Sequence, residues 1–320
     1  MTFKRHFLAV IVPGLFIALM SGSIGCGTSD SPPHRATTTI LVTSEAGARL
    51  ESRPNVEFVD GAPTAGPVLT VWPDSTKQTI HGIGTSFTES SAFVLAHLEP
   101  AKRREVMEMI YGADGANFTL TRTHIASCDF SVEGKYAYVE EGDAALASFT
   151  IAPDREGFNP ARYPGVKDPA YDLLPMIEEA QAIKAAQDDS DLRIIASAWT
   201  APPWMKDIDD WFIPGSEANG WKGTGGKLKP GYEAVYADYL LRYLDAYAAA
   251  GIDIWGLTPV NEPEGNGGFW ESMHFSPEAQ GAFIREHLGP RLARGPHADV
   301  RLLAYDHNRD HLEQWTDAIL

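Results

Sequence analysis

The sequence predicts an α/β fold built on a parallel sheet, and three observations carry that prediction. Apolar, strand-like runs at residues 80–87, 118–125, 192–199, 254–260 and 300–305 alternate with helical stretches at 101–110, 173–186, 232–249 and 277–288. Strands alternating with helices imply parallel pairing. Polar residues close every run: Thr88-Glu89, Arg122-Thr123-His124, Trp199-Thr200, Asn261-Glu262 and Asp306-His307-Asn308. Finally, Gly82-Ile83-Gly84 lacks the third glycine of a dinucleotide-binding turn. A doubly wound sheet fits the alternation alone, but polar chemistry at the C-terminal end of every strand is the pattern of a barrel. The predicted fold is therefore an incomplete (β/α)8 TIM barrel over residues 78–320, with about five of its eight βα units present.

The N-terminal elements precede that alternation. Lys4 and Arg5 lead into an apolar stretch at 7–20, followed by small residues at 21–25, which is the order of a signal peptide. Pro13 and Gly14 interrupt the stretch, and it is shorter than a membrane span needs. Ser23-Ile24-Gly25-Cys26 resembles a lipobox, although Ser23 stands where Leu is usual, so residues 1–26 read as a leader ending at an acylated Cys26. The expected location is exported, as a bacterial outer-membrane or cell-surface lipoprotein, otherwise periplasmic or extracellular. Residues 27–36 are rich in Gly, Ser, Pro and Thr and read as a tether. Residues 37–77 hold strand candidates at 38–44 and 68–72, expected to belong to a β-sandwich element. With Cys26 lipidated, Cys128 is left as a free, buried thiol.

Within the barrel region, Ser276 is placed to cap the helix at 277–288, Pro277 to occupy its first turn, and Gly289-Pro290 to stop it. The net charge of -17 repels phosphate backbones and excludes nucleic acid as a partner.

The chemistry gathers at Asn261-Glu262-Pro263, closing the fourth barrel strand. Hydrolysis of a glycoside needs one carboxylic acid to protonate the leaving oxygen and a second carboxylate on the opposite face. An Asn beside the acid can bond the sugar 2-hydroxyl. Trp199, Trp204, Trp270 and Phe275 crowd the same end of the barrel, and aromatic faces stack on the C–H faces of sugars.

The stretches 80–91 (IHGIGTSFTESS), 122–130 (RTHIASCDF), 196–206 (ASAWTAPPWMK), 255–263 (WGLTPVNEP) and 301–315 (RLLAYDHNRDHLEQW) together resemble glycoside hydrolase family 30, in order and with similar spacing. The resemblance implies a retaining β-glycosidase acting on a carbohydrate or glycolipid, without cofactor or metal. It implies Glu262 as acid/base, Asn261 as its sugar-binding neighbour, Arg122 as support for the catalytic carboxylates and Trp199 as a wall of the glycone pocket. Glu89 falls where glucosylceramidases carry a sugar-binding Asp, which leaves glucose specificity open. The 265–274 loop, with Trp270 and His274 as substrate contacts, is more similar to bacterial and fungal members, among which β-1,6-glucanases occur. The family's nucleophile, a Glu near the end of the seventh strand, is expected past Leu320, and Glu313 is no substitute for it. The alternative is a non-catalytic carbohydrate-binding surface lipoprotein or an inactive fragment. The run 306–311 reads as capping and cleft polarity rather than a metal site, and 207–210 as a solvated acidic loop.

Overall fold

The computed structural model describes residues 37–58, 61, 66–187, 191–265 and 267–320, in two units, Met1–Lys77 and Gln78–Leu320. The leader, Cys26 and the tether lie outside the described residues.

In the first unit, β1 (Thr37–Val42) pairs antiparallel with β2 (Glu51–Glu57), with a bulge between Thr38 and Ile40. Gly47, at φ 106°, closes the connecting turn, a conformation that costs glycine nothing. The strand expected at 68–72 does not form. Val68, Leu69, Val71 and Trp72 are all exposed, and no strand pairs with them. Strand propensity without a partner does not hold a strand.

The second unit carries a five-stranded parallel sheet of β3 (Gly84–Phe87), β4 (Leu120–Ile125), β5 (Arg193–Ala198), β6 (Gly256–Thr258) and β7 (Arg301–Leu302), in that spatial order. Each strand lies beside its predecessor, with no reversal of order, which is the winding of a barrel arc and not of a doubly wound sheet. At Gly84 a Cβ would lie 1.2 Å from the Leu120 carbonyl oxygen, so only glycine lets β3 approach β4 at the start of their ladder.

The strands are shorter than the apolar runs, β3 and β4 by starting later and the others by trimming at both ends, and the backbone turns sharply past the rim. Ala126, Glu262 and Tyr305 follow β4, β6 and β7, and all take positive φ, at 58°, 45° and 54°. Non-glycine residues in this region are strained and persist where surrounding structure holds them.

Helices cover the outer face: α1 (Glu89–Ala96), α2 (Pro100–Tyr111), α3 (Leu173–Ala185), α4 (Glu233–Ala249), α5 (Pro277–Phe283), α6 (Gly289–Arg294) and α7 (Leu312–Ile319). The sequence reading missed α1. Thr88 is its N-cap, the hydroxyl accepting from Ser91 N, so Glu89 opens a helix rather than closing a strand. The helix expected to end at Gly289-Pro290 continues. A π-helical turn at Ile284–Leu288 lets Gly289 N bond Ile284 O, and Pro290 then enters the first turn of α6, where its missing N–H is not needed.

The core lies between sheet and helices. Tyr236, Tyr239, Tyr243 and Tyr247 make a buried stripe along α4, and Tyr239 and Tyr243 stack on Tyr138 from the long β4–α3 connection. Asp154, on that connection and 1% exposed, accepts from Tyr136 (2.8 Å), Tyr138 (2.6 Å) and Tyr247 (2.7 Å). The connection is thereby pinned to α4.

Candidate active site

At the C-terminal ends of the strands a single guanidinium nitrogen gathers three partners. Arg122 Nη2 donates to Ser197 Oγ (2.9 Å), Asn261 Oδ1 (2.6 Å) and Asp306 Oδ2 (2.6 Å), which come from the ends of β5, β6 and β7. Ser197 Oγ also donates to Asp306 Oδ2 at 2.6 Å. The Arg122 guanidinium carbon sits 4.6 Å from the centre of the Trp199 ring. Register explains the meeting. Arg122 pairs with Ile195 across β4–β5 and Asn261 bridges Asp306, so side chains of alternate parity converge on one layer.

Glu262 is placed by its backbone. Its N–H donates to Asp306 O (2.8 Å), the preceding Asn261 N–H donates to Ala198 O (2.6 Å), and Gly265 N–H returns to Glu262 O (2.8 Å). A Cβ on Gly265 would lie 2.7 Å from Glu262 Oε2, so the bare glycine leaves the space that the carboxylate uses. Within this turn, Glu264 is held by His311 Nδ1 (2.7 Å) and Trp315 Nε1 (2.8 Å). Burial raises the Glu264 carboxyl, but these bonds outweigh it and leave the pKa below its ordinary value. These contacts occupy much of the 306–311 run. Among the described residues no three His, Cys, Asp or Glu side chains group to hold a metal ion.

Arg122, Trp199, Asn261 and Glu262 therefore come together, while the other expected residues are placed elsewhere. Trp199 is only 5% exposed, with the Arg122 cation against its ring and His124 at its edge, so it offers the cleft little open surface. Glu89 is 4% exposed, and its carboxylate accepts from Val132 N (2.6 Å) and Glu133 N (3.3 Å). That carboxylate is not part of the Arg122 cluster. It lies at the wall of a separate cavity of about 650 Å³ with Lys135, Glu156 and Asn159. Burial pushes its pKa up to about 7 against those two amide bonds. Trp270 is half-buried and its ring rests on Gly267, where a Cβ would come within 2.4 Å of it. His274 lines another cavity, of about 350 Å³, with Lys227, Glu233 and His287.

Three residues that the sequence reading did not single out belong to the site. Asp306 anchors Arg122. Asp129 takes a hydrogen bond from the Trp199 side chain. His124, buried beneath Trp199, accepts Glu89 N–H at Nε2 (3.2 Å), so its Nδ1 carries the proton and donates to Ala126 O (2.6 Å). Burial drops the His124 pKa to about 4 and keeps the ring neutral. The signal was present, because each lies in one of the stretches that carry the family resemblance, His124 and Asp129 in 122–130 and Asp306 in 301–315. Cys128, two residues past Ala126, is a buried free thiol.

Comparison with known proteins gives a consistent picture. The sequence profile of the glycosyl hydrolase family 30 TIM-barrel domain matches residues 80–320. Lysosomal acid glucosylceramidase of Mus musculus is 30% identical over 263 residues, covering 80% of this chain and 45% of that protein. Endo-1,6-beta-D-glucanase of Neurospora crassa is 30% identical over 241 residues, covering 74% of this chain and 44% of that one. The chain thus spans less than half the length of these two relatives. Among solved structures, SrfJ from Salmonella typhimurium superposes with a TM-score of 0.71 at 28% identity, over 87% of this chain and 55% of that one. The endo-beta1,6-glucanase BT3312 gives 0.66 at 25% identity, over 88% and 56%.

Proposed function

Because this chain belongs to glycosyl hydrolase family 30, we propose that it serves the hydrolysis of β-glucosidic bonds by a retaining mechanism, with Glu262 as the acid/base. The single observation that carries this reading is the convergence on Arg122 Nη2, which fixes Asn261 and, through the next peptide, Glu262. A glycosidic oxygen leaves only when it is protonated, and Glu262 is a carboxylate at this rim that no described hydrogen bond occupies. Asn261 spends its Oδ1 on Arg122, which leaves its Nδ2 amide to donate to a sugar hydroxyl. Asp129 lies beside Trp199 and can accept from another. The substrate class is a glucoside of the glycolipid type or a β-glucan, and both kinds of relative match at 30% identity. We assign Glu89 to holding the 132–133 segment, and Trp270 and His274 to the outer walls.

A retaining reaction also needs a nucleophilic carboxylate about 5 Å from the acid. The carboxylates around Arg122 are engaged: Asp306 by Arg122 and Ser197, Asp129 by Trp199, and Glu89 by two amides. We therefore place the nucleophile outside these residues, and the test turns on its replacement. Purified 1–320 is given an aryl β-glucoside with sodium azide. Azide attacks the anomeric carbon, the carbon–oxygen bond breaks, and Glu262 gives its proton to the departing phenolic oxygen. The expected result is phenol release with α-glucosyl azide, dependent on azide and abolished in Glu262→Gln. Hydrolysis without azide would reject the placement of the nucleophile. Binding of gluco-oligosaccharide with no release under azide would reject catalysis in favour of a carbohydrate-binding surface protein.

We also propose that Cys26 is acylated and holds the exported protein at a membrane surface. Mass spectrometry of the exported protein should find diacylglycerol on Cys26, and an unmodified N-terminus would reject the anchor.

A further inference from the structure

The loops that follow β5 and β6 meet main chain to main chain. A Cβ on Gly223 would lie 2.1 Å from Gly268 Cα, one on Gly268 2.5 Å from Gly223 Cα, and one on Gly225 2.4 Å from the Ser272 carbonyl carbon. Glycine at these positions is what permits the approach. Lys206 sits at this seam with 0% exposure. Its Nζ donates to Trp211 O (2.7 Å), Gly225 O (2.8 Å) and Ser272 O (3.0 Å), so it bonds both sides. An ammonium has three donors and no acceptor, and three carbonyls match that count.

No carboxylate bonds this ammonium among the described residues. The charges that reach it are Asp210 and Asp207 on its own loop, Glu271 on the opposing one and Lys135 from the β4–α3 connection. Asp207 and Asp210 each spend an oxygen on a backbone amide, of Lys227 and Trp211. Burial brings the Lys206 pKa down to about 7 against the pull of those acids. Burying a cation without a counter-ion is costly, and an apolar side chain would fill the volume more cheaply. Binding three carbonyls at once is what an apolar side chain cannot do.

We infer that Lys206 is a positioning residue: its Nζ staples the 211–226 loop to the 267–274 loop and so fixes the segment that leaves Glu262. The inference rests on reading Glu262 as the acid. The link is short in sequence, since Gly265, whose N–H bonds Glu262 O (2.8 Å), stands three residues before Gly268 at the seam. A shift of the stapled loop moves Gly265, against which the Glu262 carboxylate lies.

The experiment is hydrogen exchange by mass spectrometry on 1–320, with Lys206→Met and Gly225→Ala beside the wild type. Met fills nearly the same space without donors. In Lys206→Met, peptides covering 211–226 and 267–274 are expected to exchange on the order of tenfold faster, with α4 and β4–β5 peptides unchanged. In Gly225→Ala the same two peptides loosen while the ammonium remains. A pH series adds a readout that packing would not move. The closed rim holds Lys206 with a pKa near 7, against 10.5 as its ordinary value, so closure releases a proton in that interval. Protection relative to intrinsic exchange should therefore rise with pH above about 7 in the wild type and stay flat in Lys206→Met. Wild-type protection in both loops of Lys206→Met would overturn the inference. If that variant does not fold, unchanged loops in Gly225→Ala would overturn it. Activity is not read, so the outcome stands whether or not the azide experiment supports Glu262.

Discussion

Asp154 and Lys206 are both buried charges, 1% and 0% exposed, that no ion pair among the described residues neutralises, yet their surroundings differ in kind. Asp154 is held by three tyrosine hydroxyls and Lys206 by three backbone carbonyls. A hydroxyl can donate or accept, and it rotates. If Asp154 gains a proton, the tyrosines can rearrange around the neutral acid. A carbonyl only accepts, so a Lys206 that loses a proton leaves the third carbonyl facing a lone pair even as it sheds the larger cost of a buried charge. The first cluster is an adaptable part of the core, and the second is a fixed gauge for the spacing of two loops.

That contrast can be broken, and the largest effect is expected in the core. Asp154→Leu leaves three buried hydroxyls without an acceptor, at roughly 1–3 kcal/mol each, and should cost several kcal/mol in chemical denaturation. A loss under about 1 kcal/mol would mean that the tyrosines repair themselves. Lys206→Met should cost less globally, roughly 1–3 kcal/mol, because the damage stays in two loops. The same denaturation curves check this, and an effect equal to that of Asp154→Leu would erase the distinction.

Acid sharpens the comparison further. The Asp154 pKa is raised from 3.8 to about 6, mainly by burial, so its contribution to stability is complete below 3.8 and is lost as pH rises through about 6. Lys206 runs the other way: its contribution is present above 10.5 and is lost as pH falls through about 7. Melting temperatures followed from pH 4 to 9 should show the acid-side gain vanish in Asp154→Asn and the alkaline-side gain vanish in Lys206→Met. The smallest effect is expected for Gly265→Ala, which presses a methyl group against Glu262 Oε2. Stability should change by about 1 kcal/mol or less, while azide-supported release of phenol falls tenfold or more.

The sequence made the barrel legible because alternation and rim polarity are local signals, and for the same reason Arg122, Trp199, Asn261 and Glu262 stood out as strand-end residues, with the roles of Arg122 and Trp199 implied by the family resemblance alone. The rest needed partners distant in sequence. Residues 68–72 have strand composition but no neighbouring strand to bond. The π turn at 284–288 arises from how the chain accommodates Pro290, which in sequence looks like a stop. Lys206 reads as the polar end of a motif, and nothing local announces that its three acceptors are backbone atoms 5, 19 and 66 residues away. Glu89 has the right residue type at a strand end, but α1 begins there and turns its carboxylate toward two amides.

The order of the sheet also has a kinetic meaning. Because β3, β4, β5, β6 and β7 lie side by side as they follow one another in the chain, each strand emerges when its docking edge already exists. Growth is templated at one edge, and the loop closed by each addition is one βα unit, which keeps the entropic cost of each step modest. The Arg122 cluster does not share that economy. Its members come from four successive strands, so the guanidinium waits for Asp306, 184 residues on, before its last partner arrives. The scaffold can form stepwise from the N-terminus, but the cluster around Arg122 is assembled only once the segment after β7 has arrived.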